Sequence, residues 1–278
     1  MKIAIAGYGV VGRGTHELLL MNRDRIAARA GEPIEVKYVL DPKPLDGTPA
    51  QDLKASGIEE ILSDPEVKLL VEAIGGVGAA YEYVRAALES GRSVVTPNKQ
   101  LVAEKGAELL AIARSKGVGF LFEASVAGGT PVLHPISQCL WANDLDLAAG
   151  ILNGTTNYIL TKMVQEGAGF EETLRDAQRL GYAEADPTAD IEGIDACRKT
   201  CILADLLSGR HTDPSKVFTQ GITKITAADV EAADLAGYNI KLIGQARRMP
   251  TAGCCAWSLP PCCPNPTAWP GSTMCSTR

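Results

Sequence analysis

The sequence predicts an α/β protein, a doubly wound parallel sheet followed by an α+β domain. A short apolar run at the N-terminus stops at glycines and gives way to a helical pattern. Strand-like and helix-like stretches then alternate over about the first 130 residues. Past residue 130 the chain turns mainly helical before strand signals return.

Residues 2–6, KIAIA, are a short apolar run of the kind a parallel strand buried on both faces requires. After Gly7, Gly9 and Gly12, the stretch RGTHELLLMNRDRIAARA has apolar residues at helical spacing, so one long helix is expected. IEVKYVL (34–40) is rich in β-branched residues and stops at Asp41-Pro42, and VKLLVEAIGG (67–76) is a second buried strand ending in glycines. Helices are predicted over 79–90 and 99–116, with strands at 93–97 and 118–126. LDLAAGILNG (145–154) reads as a strand, and the chain then stays mainly helical to about residue 209. Strand and helix signals mix again beyond it, and NIKLIGQARRM fits either.

Over 278 residues, 46% hydrophobic and 22% charged composition is that of a globular chain with room for two cores. A net charge of −6, with no lysine or arginine run, gives no footprint for a nucleic-acid partner, so small molecules are the expected ligands. The apolar N-terminus is interrupted by Gly7, Gly9 and Gly12 before it reaches signal-peptide or membrane-spanning length, so no membrane association and a cytoplasmic location are expected. Cys139, Cys197 and Cys201 fall in apolar or helical patterns and read as small buried hydrophobes in a reducing compartment.

Gly7, Gly9 and Gly12 form G-x-G-x-x-G between a strand and a helix, the context in which this spacing carries information. The first glycine permits the tight turn, the second lets the backbone approach a pyrophosphate, and the third lets helix pack on strand. The helix N-terminus then faces the anion, which makes the first domain Rossmann-like and dinucleotide-binding. A glycine-rich turn kept for packing alone is the alternative. Asp41, closing the second strand, is placed to hydrogen-bond an adenosine ribose and repel a 2′-phosphate; it can also simply cap a turn with Pro42.

In the second domain, ILNGTTNYILTKM brings Asn153, Gly154, Thr155, Thr156 and Asn157 together, either to cap a helix or to line a polar pocket. GYAEADPTADIEGIDACRKTCILADLL carries Glu184, Asp186, Asp190, Glu192 and Asp195, then Arg198 and Lys199. Asp195 and Lys199 are four apart on one helix face. A surface ion pair and a site in which carboxylates hold an ammonium while a lysine moves a proton both fit that spacing. The TCILADLL that follows must be buried.

The motifs GYGVVGRG, VEAIGG, VVTPNKQLVA, FEASVAGGTP, LNGTTNYIL and GYAEADPTADIEGIDACRKTCILADLL, in this order, resemble homoserine dehydrogenase from residue 1 to about 249. The resemblance implies interconversion of L-homoserine and L-aspartate 4-semialdehyde with NAD(P), on the route to threonine and methionine. It makes Lys199 the proton donor and places Lys99 against both the nicotinamide and the substrate. Glu184 and Asp195 match positions that bind homoserine, where their charge suits its α-ammonium. Gly181 and Val11 match cofactor contacts, with Thr96 nearby. It also implies a structural monovalent cation such as sodium on the FEASVAGGTP loop, with Glu123, Val126, Gly128 and Thr130 as candidate oxygen ligands. A substrate and dimerisation domain and a homodimer are further implications. Members favouring NADP commonly carry an arginine where this chain has Leu40, so NAD is somewhat favoured, with Lys43 able to meet a 2′-phosphate.

The expected divisions are a dinucleotide-binding domain over 1–130, a partial substrate domain over 131–249 and an irregular tail over 250–278. The tail contains no Asp, Glu, Ile, Val, Phe or Lys but five Cys and six Pro, so no regular element is expected there. Its paired cysteines do not have zinc spacing. Its composition resembles a GC-rich gene read out of frame, which sets a folded but inactive, C-terminally incomplete product beside the active enzyme as the alternative.

Overall fold

A computed structural model describes residues 1–249, 253–259 and 262–264. The chain divides into two compact units that meet at Ala142/Asn143. The Glu123 carboxylate accepts the backbone N–H groups of Val132, Leu133 and His134 and ties that stretch to the first unit.

The first unit comprises β1 (Lys2–Ala6), α1 (Val10–Met21), α2 (Arg23–Ala30), β2 (Glu35–Leu40), α3 (Ile58–Ser63), β3 (Val67–Glu72), α4 (Gly78–Glu89), β4 (Ser93–Val95), α5 (Lys99–Lys116) and β5 (Phe120–Leu121). The strands form one parallel sheet in the order β2-β1-β3-β4-β5. The chain builds outward from β1 to β2, then crosses back to β3, so the order reverses between β1 and β3. A crevice opens at that point, beyond the carboxyl ends of the strands. Ile5, Leu70 and Val94 from the strands and Val84, Leu88, Leu101 and Leu109 from the helices are fully buried, each contributing roughly 1.5–3 kcal/mol of transfer free energy. Asn98 caps α5 by accepting the N–H of Leu101, and Gly117 ends it in a left-handed conformation.

Two readings change. The long first helix breaks at Asn22, whose side-chain amide competes for the Leu18 carbonyl that its own N–H already uses. The strand expected over 118–126 shortens to Phe120–Leu121, because a 3₁₀ turn at Glu123–Ser125 follows. The short α3 was not predicted.

The second unit comprises β6 (Leu147–Gly150), α6 (Gly154–Glu166), α7 (Phe170–Arg179), α8 (Thr188–Ile191), α9 (Ile194–Ser208), β7 (Phe218–Thr219), α10 (Ala227–Leu235), β8 (Tyr238–Ile240), β9 (Ile243–Met249), β10 (Gly253–Leu259) and β11 (Cys262–Pro264). Four strands run in the order β6-β9-β10-β7, and β8 pairs with β11. The α9 helix packs across β6, β9 and β10, burying Thr200, Cys201, Ile202, Leu203 and Ala204 as the apolar run requires. A core of Ile159, Leu160, Met163, Ile222 and Leu242 lies beside it.

The ambiguous NIKLIGQARRM is strand at both ends, and the tail contradicts its reading. Gly253–Leu259 pairs antiparallel with β9, from Gly253 opposite Met249 to Leu259 opposite Ile243, and Cys262–Pro264 pairs with β8. Backbone ladders need N–H and C=O groups rather than an amphipathic pattern, and an unpaired β9 edge offers them. The rest of the tail, with the out-of-frame reading of it, lies outside the described residues. Cys197 and Cys201 are buried as expected, but Cys139 is exposed, at the end of a π-helical turn, Pro135–Cys139. Among the described residues no helix is long and apolar enough to cross a membrane.

Candidate active site

In the first unit the chain leaves β1 through Gly7 at φ +93°, where a Cβ would lie 2.5 Å from the Ala73 carbonyl oxygen. A Cβ on Gly12 would lie 2.0 Å from the Gly7 oxygen. Both glycines are demanded by close approach, while Gly9 faces open space and caps α1 without a side-chain partner. The first N–H groups of α1 are therefore left for an anion. A cleft of about 650 Å³ opens here, lined by Gly7, Gly9, Asp41, Lys43, Lys54 and Ile74 among others. Asp41 borders the cleft, and its carboxylate closes the turn by accepting the N–H of Tyr8 at 2.6 Å and of Lys43 at 2.8 Å. Behind the turn, the Tyr8 hydroxyl lies 2.8 Å from His16 Nδ1. Burial pushes the Tyr8 phenol up and the His16 imidazole down, so both are neutral near pH 7. Val11, on the first turn of α1, is half exposed. Gly12→Ala is expected to cost about 1–3 kcal/mol through overpacking and to abolish measurable dinucleotide binding. A melting curve and an NADH fluorescence titration check it, and wild-type values in both would overturn the packing argument.

At the ends of β3 and β4, Thr96 is buried and donates its hydroxyl to Glu72, itself fully buried. Lys99 is half-buried at the start of α5. The expected cation ligands fare differently. Both Glu123 oxygens are held by three backbone N–H groups at 2.6–3.0 Å, a donor arrangement that satisfies an anion. Val126, Gly128 and Thr130 share the adjoining loop, in which Thr130 N–H closes a turn onto the Ala127 carbonyl. The Glu123 carboxylate thus serves the turn.

In the second unit Lys199 Nζ donates to the Leu152 carbonyl at 2.7 Å and to Asp195 Oδ2 at 2.8 Å. Asp195 is 1% exposed and the Lys199 side chain 16%. The bland reading, a solvated pair on a helix face, therefore fails. Asn153 caps α6, its Oδ1 accepting both the N–H and the hydroxyl of Thr156, and its Nδ2 donates to Asp190 at 2.6 Å and Asp195 at 2.8 Å. Asp195, expected to meet a ligand ammonium, here holds the ammonium of Lys199. Glu184 is exposed. Its segment is tied to the first turn of α6 by the Thr155 hydroxyl, which donates to the Tyr182 carbonyl at 2.8 Å. Gly181 lies in the same segment in a left-handed conformation at φ +77°.

Residues 7–123 match the family described as homoserine dehydrogenase, NAD binding domain, and residues 131–268 the family described as homoserine dehydrogenase. The chain belongs to the homoserine dehydrogenase family. The family match runs past residue 249, the expected end of the resemblance, into the segment that pairs with β9. Homoserine dehydrogenase of Pseudomonas aeruginosa is 48% identical over 250 residues, covering 89% of this chain and 57% of that protein. A crystal structure of a homoserine dehydrogenase from Thiobacillus denitrificans superposes with a TM-score of 0.88 at 42% identity, covering 95% of this chain and 62% of the other. A hyperthermophilic archaeal homoserine dehydrogenase in complex with NADPH superposes at 0.78 with 25% identity, over 96% and 84% of the two chains. The chain thus spans little more than half the length of the P. aeruginosa relative.

Sequence reading missed Asn153 and Asp190 as members of the Lys199 cluster and Glu72 beneath the cofactor cleft. Asn153 was legible as a helix cap or a pocket-lining group, but not as a partner of these carboxylates. Nothing in the spacing shows that its other end reaches two carboxylates about forty residues downstream. The glutamate of VEAIGG at the end of an otherwise apolar strand is a signal that could have been used, since a charged residue there must be buried with partners.

Proposed function

We propose that the chain interconverts L-homoserine and L-aspartate 4-semialdehyde with a nicotinamide dinucleotide, in the branch leading to threonine and methionine. The observation that carries the reading is the Lys199 ammonium, held between the Leu152 carbonyl and the buried Asp195 at the head of α9. The glycine cradle, which a Cβ would fill at Gly7 and Gly12, fits a dinucleotide. Gly7, Gly9, Val11 and Gly12 would hold its pyrophosphate, with Asp41 at the adenosine ribose and Thr96 and Lys99 toward the nicotinamide. When bound, the nicotinamide supplies hydride donor or acceptor chemistry.

The chain's own residues manage the proton and the charge. Lys199 Nζ gives a proton to the aldehyde oxygen in the reducing direction and takes the hydroxyl proton of homoserine in the other. Asp195 and Leu152 orient that Nζ. The exposed carboxylate of Glu184 suits the substrate α-ammonium, and Lys99 adds positive charge on the cofactor side. Such an enzyme works in the cytoplasm. A homodimer would use the outer face of β6-β9-β10-β7, where Leu147 and Phe218 are exposed on the side away from α9.

Homoserine-dependent formation of reduced coenzyme by purified protein tests the reading, and no turnover with either coenzyme would overturn it. Asp41 at the ribose position disfavours a 2′-phosphate, while Lys43 and Lys54 border the same cleft. The expected kcat/KM is therefore higher for NAD than for NADP, by less than about tenfold, a difference under about 1.4 kcal/mol. A strong NADP preference would reverse the assignment of Asp41.

A further inference from the structure

We propose that Glu72 is a positioning residue that shapes the nicotinamide half of the cofactor cleft, an inference that rests on the dinucleotide reading of the first unit. A glutamate is rarely buried completely, and Glu72 is, at the last position of β3. Its Oε1 accepts the backbone N–H groups of Ile74 at 2.8 Å and Gly75 at 3.1 Å. Its Oε2 accepts the Thr96 hydroxyl at the end of β4. The Thr96 oxygen in turn accepts the N–H of Asn98 at 2.9 Å, and Asn98 Nδ2 donates to the Gly76 carbonyl at 2.6 Å. The bonds close a ring from Glu72 through loop 73–76 to Asn98, Thr96 and back.

The ring backs the place where the fold puts a ligand. Ala73 and Ile74 line the cleft, and Gly75 and Gly76 follow in successive left-handed conformations, a loop shape that glycine permits but does not enforce. Glu72 enforces it. Asn98 is also the cap of α5, so the ring sets the backbone from which Lys99 begins. The strand order assigns the half of the ligand concerned. The glycine turn follows β1 and Asp41 follows β2 on one side, so the adenosine half lies toward β2, and the other nucleotide lies across the switch point, over the ends of β3 and β4.

The ring requires two acceptor oxygens, each used from a different direction. A glutamine has one carbonyl oxygen; if it keeps the two backbone N–H groups, its NH₂ faces the Thr96 hydroxyl, whose proton then has no acceptor. Glu72→Gln is thus nearly isosteric and breaks one side of the ring. The test compares two ligands on wild type and Glu72→Gln, namely NADH, and ADP-ribose, which lacks the nicotinamide. The expected result is about tenfold weaker NADH binding with ADP-ribose within about twofold of wild type, the size of one lost charge-assisted hydrogen bond. Unchanged binding of both, or equal weakening of both, would overturn the proposal, the second because it marks a residue of the scaffold only. Wild-type protein that binds neither ligand would instead overturn the dinucleotide reading itself. Should Glu72→Gln fail to fold, Thr96→Val and Thr96→Ser carry the same comparison. The proposal expects the selective loss in the valine variant and its rescue in the serine variant, and it fails if the two behave alike.

Discussion

Lys199→Ala is expected to lower homoserine turnover by about 10²–10⁴-fold, the usual contribution of a positioned proton-transfer group. The substitution also removes the ammonium from a carboxylate that is 1% exposed. Breaking such a pair from one side leaves a buried charge and costs about 3 kcal/mol, at the low end of the range because Lys199 itself retains some solvent contact. Lost activity in the alanine variant alone would therefore mix chemistry with stability. Lys199→Arg separates them. A guanidinium keeps the charge beside Asp195 and the donors for Leu152 but does not give up a proton in the working pH range. The expected outcome is a melting temperature near that of wild type together with turnover as low as in the alanine variant. Turnover in the arginine variant within about tenfold of wild type would show that Lys199 acts as a charge and not as a proton carrier.

The part of the molecule that was legible in the sequence is the part set by local pattern. The glycine turn, α4, α5 and the burial of α9 follow from spacing, because each depends on residues within a few turns of one another. Elements whose cause lies elsewhere were not legible. The break at Asn22 depends on a side-chain amide competing for one carbonyl, which periodicity does not register. The β10 strand forms from a segment whose side chains carry no strand pattern, since the edge of β9 supplies what it lacks. The candidate site divides the same way. Lys199 and Asp195 share a helix face, so their pairing could be read. Asn153 reaches Asp190 and Asp195 across sequence separations of 37 and 42, and Glu72 reaches Thr96 across 24. Those contacts exist only because the fold brings strand ends and helix starts together.

Asn153→Asp is expected to destabilise the second unit more than Asn153→Ala, although aspartate is the better helix cap of the two. All the hydrogen-bonding capacity of the Asn153 amide is used. Its oxygen takes two bonds from Thr156, and its two N–H groups go one each to Asp190 and Asp195. Alanine loses the cap, worth about 1 kcal/mol, and leaves two carboxylates with one donor fewer each. Aspartate keeps the cap but turns an oxygen toward both carboxylates, so three acidic groups meet where Asp195 is buried. The expected penalty near pH 7 is about 3 kcal/mol or more, which lowers the melting temperature by roughly 6–12 °C in a domain of this size. The sign of the pH dependence identifies the cause. Like charges raise the affinity of the folded cluster for a proton above that of the unfolded chain. The penalty is therefore full above the raised folded value and fades as the pH falls toward about 4, the ordinary carboxylate range. A proton taken up there also restores one O–H donor between the oxygens. Melting curves of the two variants at pH 5 and pH 8 should converge on the acid side. An aspartate variant that tracks the alanine variant at both values would mean that the amide donors, and with them the tie between α6 and α9, contribute nothing to the stability of the Lys199 cluster.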